Sequence, residues 1–286
     1  MKVLVLSAGQ IGTAIVKAAP SRHEVIVRTH AQLDIVDARA VGEALADSKA
    51  HWVVNAAAYT AVDRAEDEPA AARAVNDTAV AALAQVAARE KARLLHVSTD
   101  FVFDGKAGRP YRPTDATNPL SVYGVTKRAG EHHVLEGGFG IVMRTSWVYA
   151  STGKNFVLTM LKMMKERDQI NVVCDQIGTP TWAMSAAAAV WALIELGPEG
   201  GLYHWADLGV ASWYDFALAI QEEALARGLL TRAVRIVPIP SAGYATRAAR
   251  PSFSVLDTSG ARALLRIPTL HWRESLRRML DELRTA

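Results

Sequence analysis

The chain has 286 residues, of which 50% are apolar, 21% charged and only 7% aromatic. That excludes a disordered chain, and at ~150 residues per domain it predicts about two domains with a substantial core. A lone cysteine, Cys174, excludes an internal disulfide framework and fits a reducing compartment. The net charge of +3 mildly favours anionic ligands. The densest basic stretch, Arg273 to Arg284, is interleaved with Glu274, Asp281 and Glu282, which reads as a solvated helix face and not as a nucleic-acid interface. The longest apolar run, Ala183 to Ile194, is shorter than the ~20 residues of a membrane span. Lys2 and the short apolar run Val3 to Leu6 do not form a signal peptide. The expectation is a soluble, cytoplasmic protein that engages neither nucleic acid nor membrane.

Short apolar runs alternate with longer helical patterns. Strands are predicted at Lys2–Leu6, His23–Val27, His51–Asn55 and Leu94–Ser98, and the series continues at Ile141–Arg144, Asn171–Cys174 and Gly201–Trp205. Each is brief and rich in Val, Ile and Leu, as strands buried on both faces are. Helical segments such as Ala70–Arg89 and Met184–Leu196 lie between them. This alternation predicts an α/β fold with a doubly wound parallel sheet of the Rossmann kind. Beyond residue 205 the pattern changes to a helix at Ser212–Arg227, a short strand at Val234–Pro240 and a final helix at Trp272–Arg284. The predicted division is a dinucleotide-binding unit of residues 1–149 plus about 171–205. A smaller C-terminal α/β substrate unit takes about 150–170 plus 206–286.

Two segments carry chemistry. Ser7-Ala8-Gly9-Gln10-Ile11-Gly12 follows the first strand and opens a helix, where glycines let the backbone approach a pyrophosphate on the helix N-terminus. The pattern is incomplete, because Ser7 takes the place of the first of the usual three glycines. At the end of the second strand, Thr29 occupies the place of the acidic residue that bonds a ribose 2′-hydroxyl, with Arg28 and His30 beside it. NADPH is therefore expected to be accepted at least as well as NADH.

The second segment is Tyr123-Gly124-Val125-Thr126-Lys127, with Tyr and Lys four apart on one helix face. An ammonium one turn away favours the phenolate and lowers the phenol pKa. Any Tyr and Lys can fall at this spacing by chance. Here Ser98-Thr99-Asp100 ends the fourth predicted strand, 24 residues before the tyrosine, and a hydroxyl at that end of a parallel strand faces the ligand crevice. Thr99, Tyr123 and Lys127 with a dinucleotide turn are far more specific together than apart.

At these residues the sequence resembles the dTDP-4-dehydrorhamnose reductase family of the extended short-chain dehydrogenase/reductase superfamily. The resemblance continues in Leu33-Asp34-Ile35-Val36-Asp37, Asn55-Ala56-Ala57-Ala58-Tyr59-Thr60-Ala61-Val62-Asp63 and Ser98-Thr99-Asp100-Phe101-Val102-Phe103-Asp104-Gly105. It extends through Arg144-Thr145-Ser146-Trp147-Val148-Tyr149, Gly153-Lys154-Asn155-Phe156, Asp175-Gln176-Ile177-Gly178-Thr179-Pro180-Thr181 and Arg250-Pro251.

The resemblance implies that hydride from a nicotinamide cofactor attacks the C4 carbonyl of a dTDP-linked keto sugar, most simply dTDP-4-dehydrorhamnose. Tyr123 then gives the proton, Lys127 tunes it and anchors the ribose, and Thr99 bonds the sugar oxygen. By the same likeness Gly9, Gln10, Ile11, Gly12, Arg28, Asp34, Ile35, Ala56, Ala57 and Tyr59, together with Tyr123 and Lys127, meet the cofactor, while Thr99, Asp100, Trp147 and Asn155 lie on the substrate side. A homodimer is an expectation from the family. Some relatives hold magnesium through a carboxylate on the first helix, where this chain has Thr13 and Ala14, so no metal is expected.

Other readings of single residues remain. Asp34 and Asp37 can cap the following helix, Trp147 can be core, Asp63 and Glu66 read as solvated, and Cys174 as a small buried hydrophobe. Two alternatives to reduction stay open. A nucleotide-sugar dehydratase or epimerase is disfavoured because Phe101 stands where dehydratases place a second acid. A non-catalytic regulatory subunit of the same fold is favoured by Ser7 and opposed by Thr99, Tyr123 and Lys127.

Overall fold

The short apolar runs become strands whose alternate side chains feed two different cores. In the computed structural model, which describes residues 1–6 and 9–285, the first half of the chain holds five strands and six helices. The strands are β1 (Lys2–Leu6), β2 (Glu24–Arg28), β3 (Trp52–Asn55), β4 (Arg93–Thr99) and β5 (Ile141–Thr145). The helices are α1 (Gln10–Lys17), α2 (Ala38–Ser48), α3 (Val62–Asp67), α4 (Pro69–Arg73), α5 (Ala79–Arg89) and α6 (Val122–Glu136). The second half adds β6 (Val148–Tyr149), α7 (Phe156–Glu166), β7 (Gln169–Val173), β8 (Ile177–Gly178), β9 (Thr181–Trp182) and α8 (Ala183–Leu196). It ends with β10 (Gly201–His204), β11 (Ala211–Ser212), α9 (Trp213–Ala226), β12 (Arg235–Ile239), α10 (Ser259–Leu265) and α11 (Trp272–Thr285). Ser7 and Ala8 of the phosphate turn lie outside the described residues.

Six strands form one parallel sheet in the order β10-β5-β4-β3-β1-β2. The side-chain period of two sends Val3 and Val5 to a core under α1 and α8, and Leu4 and Leu6 to a core under α2 and α5. The Trp191 indole of α8 donates to the Ile15 carbonyl of α1 at 2.8 Å and locks that layer. The strand order reverses between β1 and β3, and in open parallel sheets the ligand crevice lies at that reversal, outside the carboxyl ends of the strands. The expected doubly wound fold is therefore present. Among the described residues no helix is long and apolar enough to cross a membrane.

A third core gathers α7, α9 and α11 over β7 and β12. Here one expectation is corrected. The strand placed at Asn171–Cys174 in the parallel series runs at Gln169–Val173 and pairs with β12 outside the main sheet. Ile170 and Val172 are buried in the third core while Gln169 and Asn171 are exposed, the alternation of a strand covered on one face only. Residues 169–173 thus pack with the tail of the chain. Cys174, just past the strand, is half-buried rather than enclosed.

The helix expected at Ala70–Arg89 is present with one interruption. Residues Ala74–Thr78 widen into a π-helical turn between α4 and α5, and Asn76 within it bonds inward to the Tyr59 backbone and to Thr126 of α6.

Candidate active site

β4 ends in Thr99, and a tight turn at Asp100–Val102 brings the chain under the start of α6. Ser121 caps that helix by accepting from the Gly124 amide at 3.2 Å, and Glu66 of α3 accepts the Val122 amide at 2.9 Å. Gly124 is required for the approach, because a Cβ there would run into the Phe101 carbonyl. Glu66 is consequently not the solvated residue expected. Asp63 differs likewise, since it pairs with Arg250 at 2.6 Å and accepts the Ala248 amide, tying the C-terminal segment to α3.

The close approach sets Tyr123 against Thr99, and the Phe101 ring packs edge-on against the phenol at 5.6 Å. Thr99 is 6%, Asp100 2% and Lys127 1% exposed. Burial pushes Tyr123 up to about 12, with the Thr99 hydroxyl bond opposing and the nearby Asp100 reinforcing the rise. Burial also pushes Asp100 up to about 6, against the bonds from Ser254 and Thr99. A phenol held neutral suits proton donation.

The expectation that Lys127 lowers the Tyr123 pKa is overturned. Lys127 Nζ points into the sheet, 2.9 Å from His96 Nε2 and 2.7 Å from the Val97 carbonyl, so desolvation of the phenol wins. Burial lowers Lys127 itself to about 7, with Glu131 opposing.

At the carboxyl ends of β1, β2 and β3 lies a cavity of about 370 Å³ whose lining includes Gly9, Arg28, Asp34, Ile35, Ala57 and Tyr59. Six of the residues expected at the cofactor thus share one wall. The first turn of α1 carries no acidic side chain, so the helix itself sets no like charge against an anion at its N-terminus. Gly12 is buried in α1, Ile11 packs on the first core, and the Ala56 amide donates to Leu6 at 3.1 Å. Asp37 is the cap of α2, accepting from the Ala40 amide at 2.9 Å, which leaves Asp34 as a cavity residue. An anionic, adenine-bearing dinucleotide fits these residues, with Arg28 able to meet a 2′-phosphate.

Two substrate-side expectations fare differently. Trp147 is half-buried, stacks on Trp213 with centroids 3.4 Å apart, and sits at a left-handed φ of 45°. A bulky residue in that conformation is strained and persists only where its surroundings enforce it. Gly178 beneath the ring supplies that room, because a Cβ there would sit within 2.8 Å of three indole atoms. Asn155 is not brought to Thr99 or Asp100. Its carboxamide caps α7 through the Leu158 amide at 3.1 Å and donates to Gln10 Oε1 at 2.9 Å and the Ala150 carbonyl at 2.8 Å. It serves to hold the 150–155 loop beside Gln10 at the start of α1.

Sequence reasoning missed His96, Asn55, Ser254 and Trp213. Only the first two left a signal, as polar residues inside two strands that face each other in register.

Comparison with known proteins agrees with this geometry. The family profile described as RmlD substrate binding domain matches residues 1–285. A dTDP-4-dehydrorhamnose reductase of Burkholderia thailandensis is 41% identical over 285 residues, 96% of each chain. One of Escherichia coli is 38% identical, covering 97% of this chain and 96% of the other. The crystal structure of dTDP-4-dehydrorhamnose reductase from Bacillus anthracis in complex with NADP superposes with a TM-score of 0.92 at 31% identity, covering 98% of this chain and 99% of that one. With the profile spanning nearly every residue and relatives of this similarity, the chain belongs to the dTDP-4-dehydrorhamnose reductase family of the extended short-chain dehydrogenase/reductase superfamily.

Proposed function

We propose that this protein reduces the C4 keto group of dTDP-4-dehydrorhamnose, giving dTDP-rhamnose, with NADPH as reductant. The observation that carries the reading is the buried Tyr123 phenol against Thr99 at the carboxyl end of β4, in the same crevice-bearing sheet as the nucleotide cavity. NADPH, when bound, supplies a hydride to C4. Thr99 bonds the sugar oxygen and orients it. Tyr123 gives its proton to that oxygen as negative charge develops. Asp100 and the Trp147–Trp213 stack shape the sugar side, and Lys127 meets the nicotinamide ribose. The division of labour follows the fold, with the parallel sheet holding the dinucleotide and the α7–α9–α11 layer facing the sugar nucleotide.

Dehydration is disfavoured by chemistry at one position. Removing water across C5–C6 needs a base and an acid, and Phe101 beside Asp100 moves no proton. Incubation with NADPH and dTDP-4-dehydrorhamnose is expected to consume NADPH and form dTDP-rhamnose, while dTDP-glucose yields no 4-keto product. Formation of a 4-keto-6-deoxy sugar from dTDP-glucose would overturn the reading. NADPH binding with no turnover on any 4-keto sugar would instead favour a regulatory subunit.

Cofactor choice gives a second expected result. Arg28 lines the cavity with no acidic side chain at the end of β2. Arg28→Asp places a carboxylate against a 2′-phosphate and beside a 2′-hydroxyl, so the kcat/KM ratio of NADPH to NADH is expected to fall by roughly 10-fold or more. An unchanged ratio would show that Arg28 does not touch that group.

A further inference from the structure

Beneath Tyr123 a chain of hydrogen bonds runs from the loop after β3 into the sheet. Asn55 and His96 face each other in register on β3 and β4, and both are fully buried. The direction of the chain follows from what each group can do. The Ala57 amide only donates, and it lies 3.1 Å from Asn55 Oδ1. The other end of that carboxamide, Nδ2, therefore donates to His96 Nδ1 across 3.1 Å. A neutral imidazole that accepts at Nδ1 carries its proton on Nε2. Nε2 is 2.9 Å from Lys127 Nζ, where an N–H donor needs a lone pair and an ammonium has none.

We infer that His96, oriented by Asn55, holds Lys127 as an uncharged amine in the cofactor-free protein, so that His96 and Asn55 are positioning residues for this lysine. Lys127 still gives a hydrogen to the Val97 carbonyl at 2.7 Å. The reverse arrangements fail. An imidazolium would set its Nδ1–H against the Asn55 amide hydrogens, and a turned carboxamide would set those hydrogens against the Ala57 N–H.

The surroundings agree. Burial lowers Lys127 to about 7 and His96 well below its ordinary value. The one carboxylate that favours the ammonium, Glu131 on the same helix, is engaged by Arg144 of β5 at 2.6 and 2.7 Å and by Ser98. Asp100 after β4 lies beside Tyr123, Glu66 of α3 holds the Val122 amide, and Asp77 from the π-helical turn pairs with His133. None of these is bonded to Lys127. On meeting the acceptor oxygens of a cofactor ribose, Lys127 leaves His96 and takes one proton from solvent. This last step rests on the function proposed above, whereas the state of the free protein does not.

The test has two arms. In cofactor-free protein carrying 15N-labelled histidine and lysine, His96 is expected as the Nε2–H tautomer and Lys127 as an amine at about pH 8, well below the ordinary lysine pKa of ~10.4. Asn55→Asp supplies an acceptor in place of the Nδ2 donor, so His96 is expected to switch to the Nδ1–H tautomer and Lys127 to become an ammonium. Calorimetry of NADH binding at that pH, in buffers of different ionisation enthalpy, is expected to show uptake of about one proton in the native protein and close to none in Asn55→Asp. An Nδ1–H tautomer or an ammonium in the native protein would overturn the inference. So would NADH binding without proton uptake. If the native protein shows the amine but binds neither NADH nor NADPH, the proposed function falls and the state of Lys127 stands.

Discussion

Tyr123→Phe is expected to lower kcat by roughly 10²-fold or more while leaving NADPH affinity and folding nearly unchanged. The substitution keeps the ring that packs edge-on against Phe101 and removes only the phenolic hydrogen and oxygen. The two neighbours beside the phenol do not replace it, since Asp100, at about 6, is mostly ionised at neutral pH and Phe101 has no proton to give. The pH dependence follows with its sign. Tyr123 is pushed up to about 12, so its donor form persists throughout the neutral and mildly basic range and is lost only above it. Reduction by the native protein is therefore expected to show no fall from phenol ionisation between pH ~6 and ~9. Single-turnover kinetics with saturating NADPH read the chemical step directly. Near-native turnover in Tyr123→Phe would show that a different group donates the proton.

Glu131→Ala is expected to destabilise the fold by about 3–5 kcal/mol, the cost of leaving a buried charge without its partner. Glu131 is fully buried, takes two bonds from Arg144 at 2.6 and 2.7 Å and accepts the Ser98 hydroxyl at 2.7 Å. Arg144 itself is 2% exposed and lies over the Phe103 ring, with no route to solvent for its guanidinium. A loss of that size lowers Tm by roughly 10 °C at ~2–4 °C per kcal/mol for a chain of this class. Replacing both partners with apolar residues, as in Glu131→Leu with Arg144→Met, is expected to recover most of the stability, because neither charge then has to be desolvated. Urea unfolding of the three proteins separates these outcomes. A single-variant loss below about 1 kcal/mol would place the pair among weak, screened ion pairs. Ser98 precedes Thr99, so the single variant also loosens the residue proposed to bond the sugar oxygen.

What was legible in the sequence is whatever depends on spacing along one element. Val3 and Val5 against Leu4 and Leu6 announce a strand covered on both faces, and Tyr123 and Lys127 four apart announce a shared helix face. The apolar runs and the Gly-containing turn after the first strand imply the parallel sheet and its crevice, and the structure has both. What spacing cannot convey is the direction of a side chain once its face is known. Lys127 was expected to tune Tyr123, but the interior offers His96 and the Val97 carbonyl as partners and desolvation of both groups outweighs their proximity. Asn155 sits in a matching motif, yet its carboxamide is taken up by the α7 cap and Gln10. Asp63 and Glu66 look like ordinary helix carboxylates until the fold brings Arg250 and the Val122 amide against them. The strand at Gln169–Val173 is written in its residues, whereas its partner β12 lies more than sixty residues away. Local periodicity determined the elements and the positions of Thr99 and Tyr123 on them. Long-range packing alone decided which donors and acceptors met, because a buried polar group binds whatever partner the folded interior places within reach.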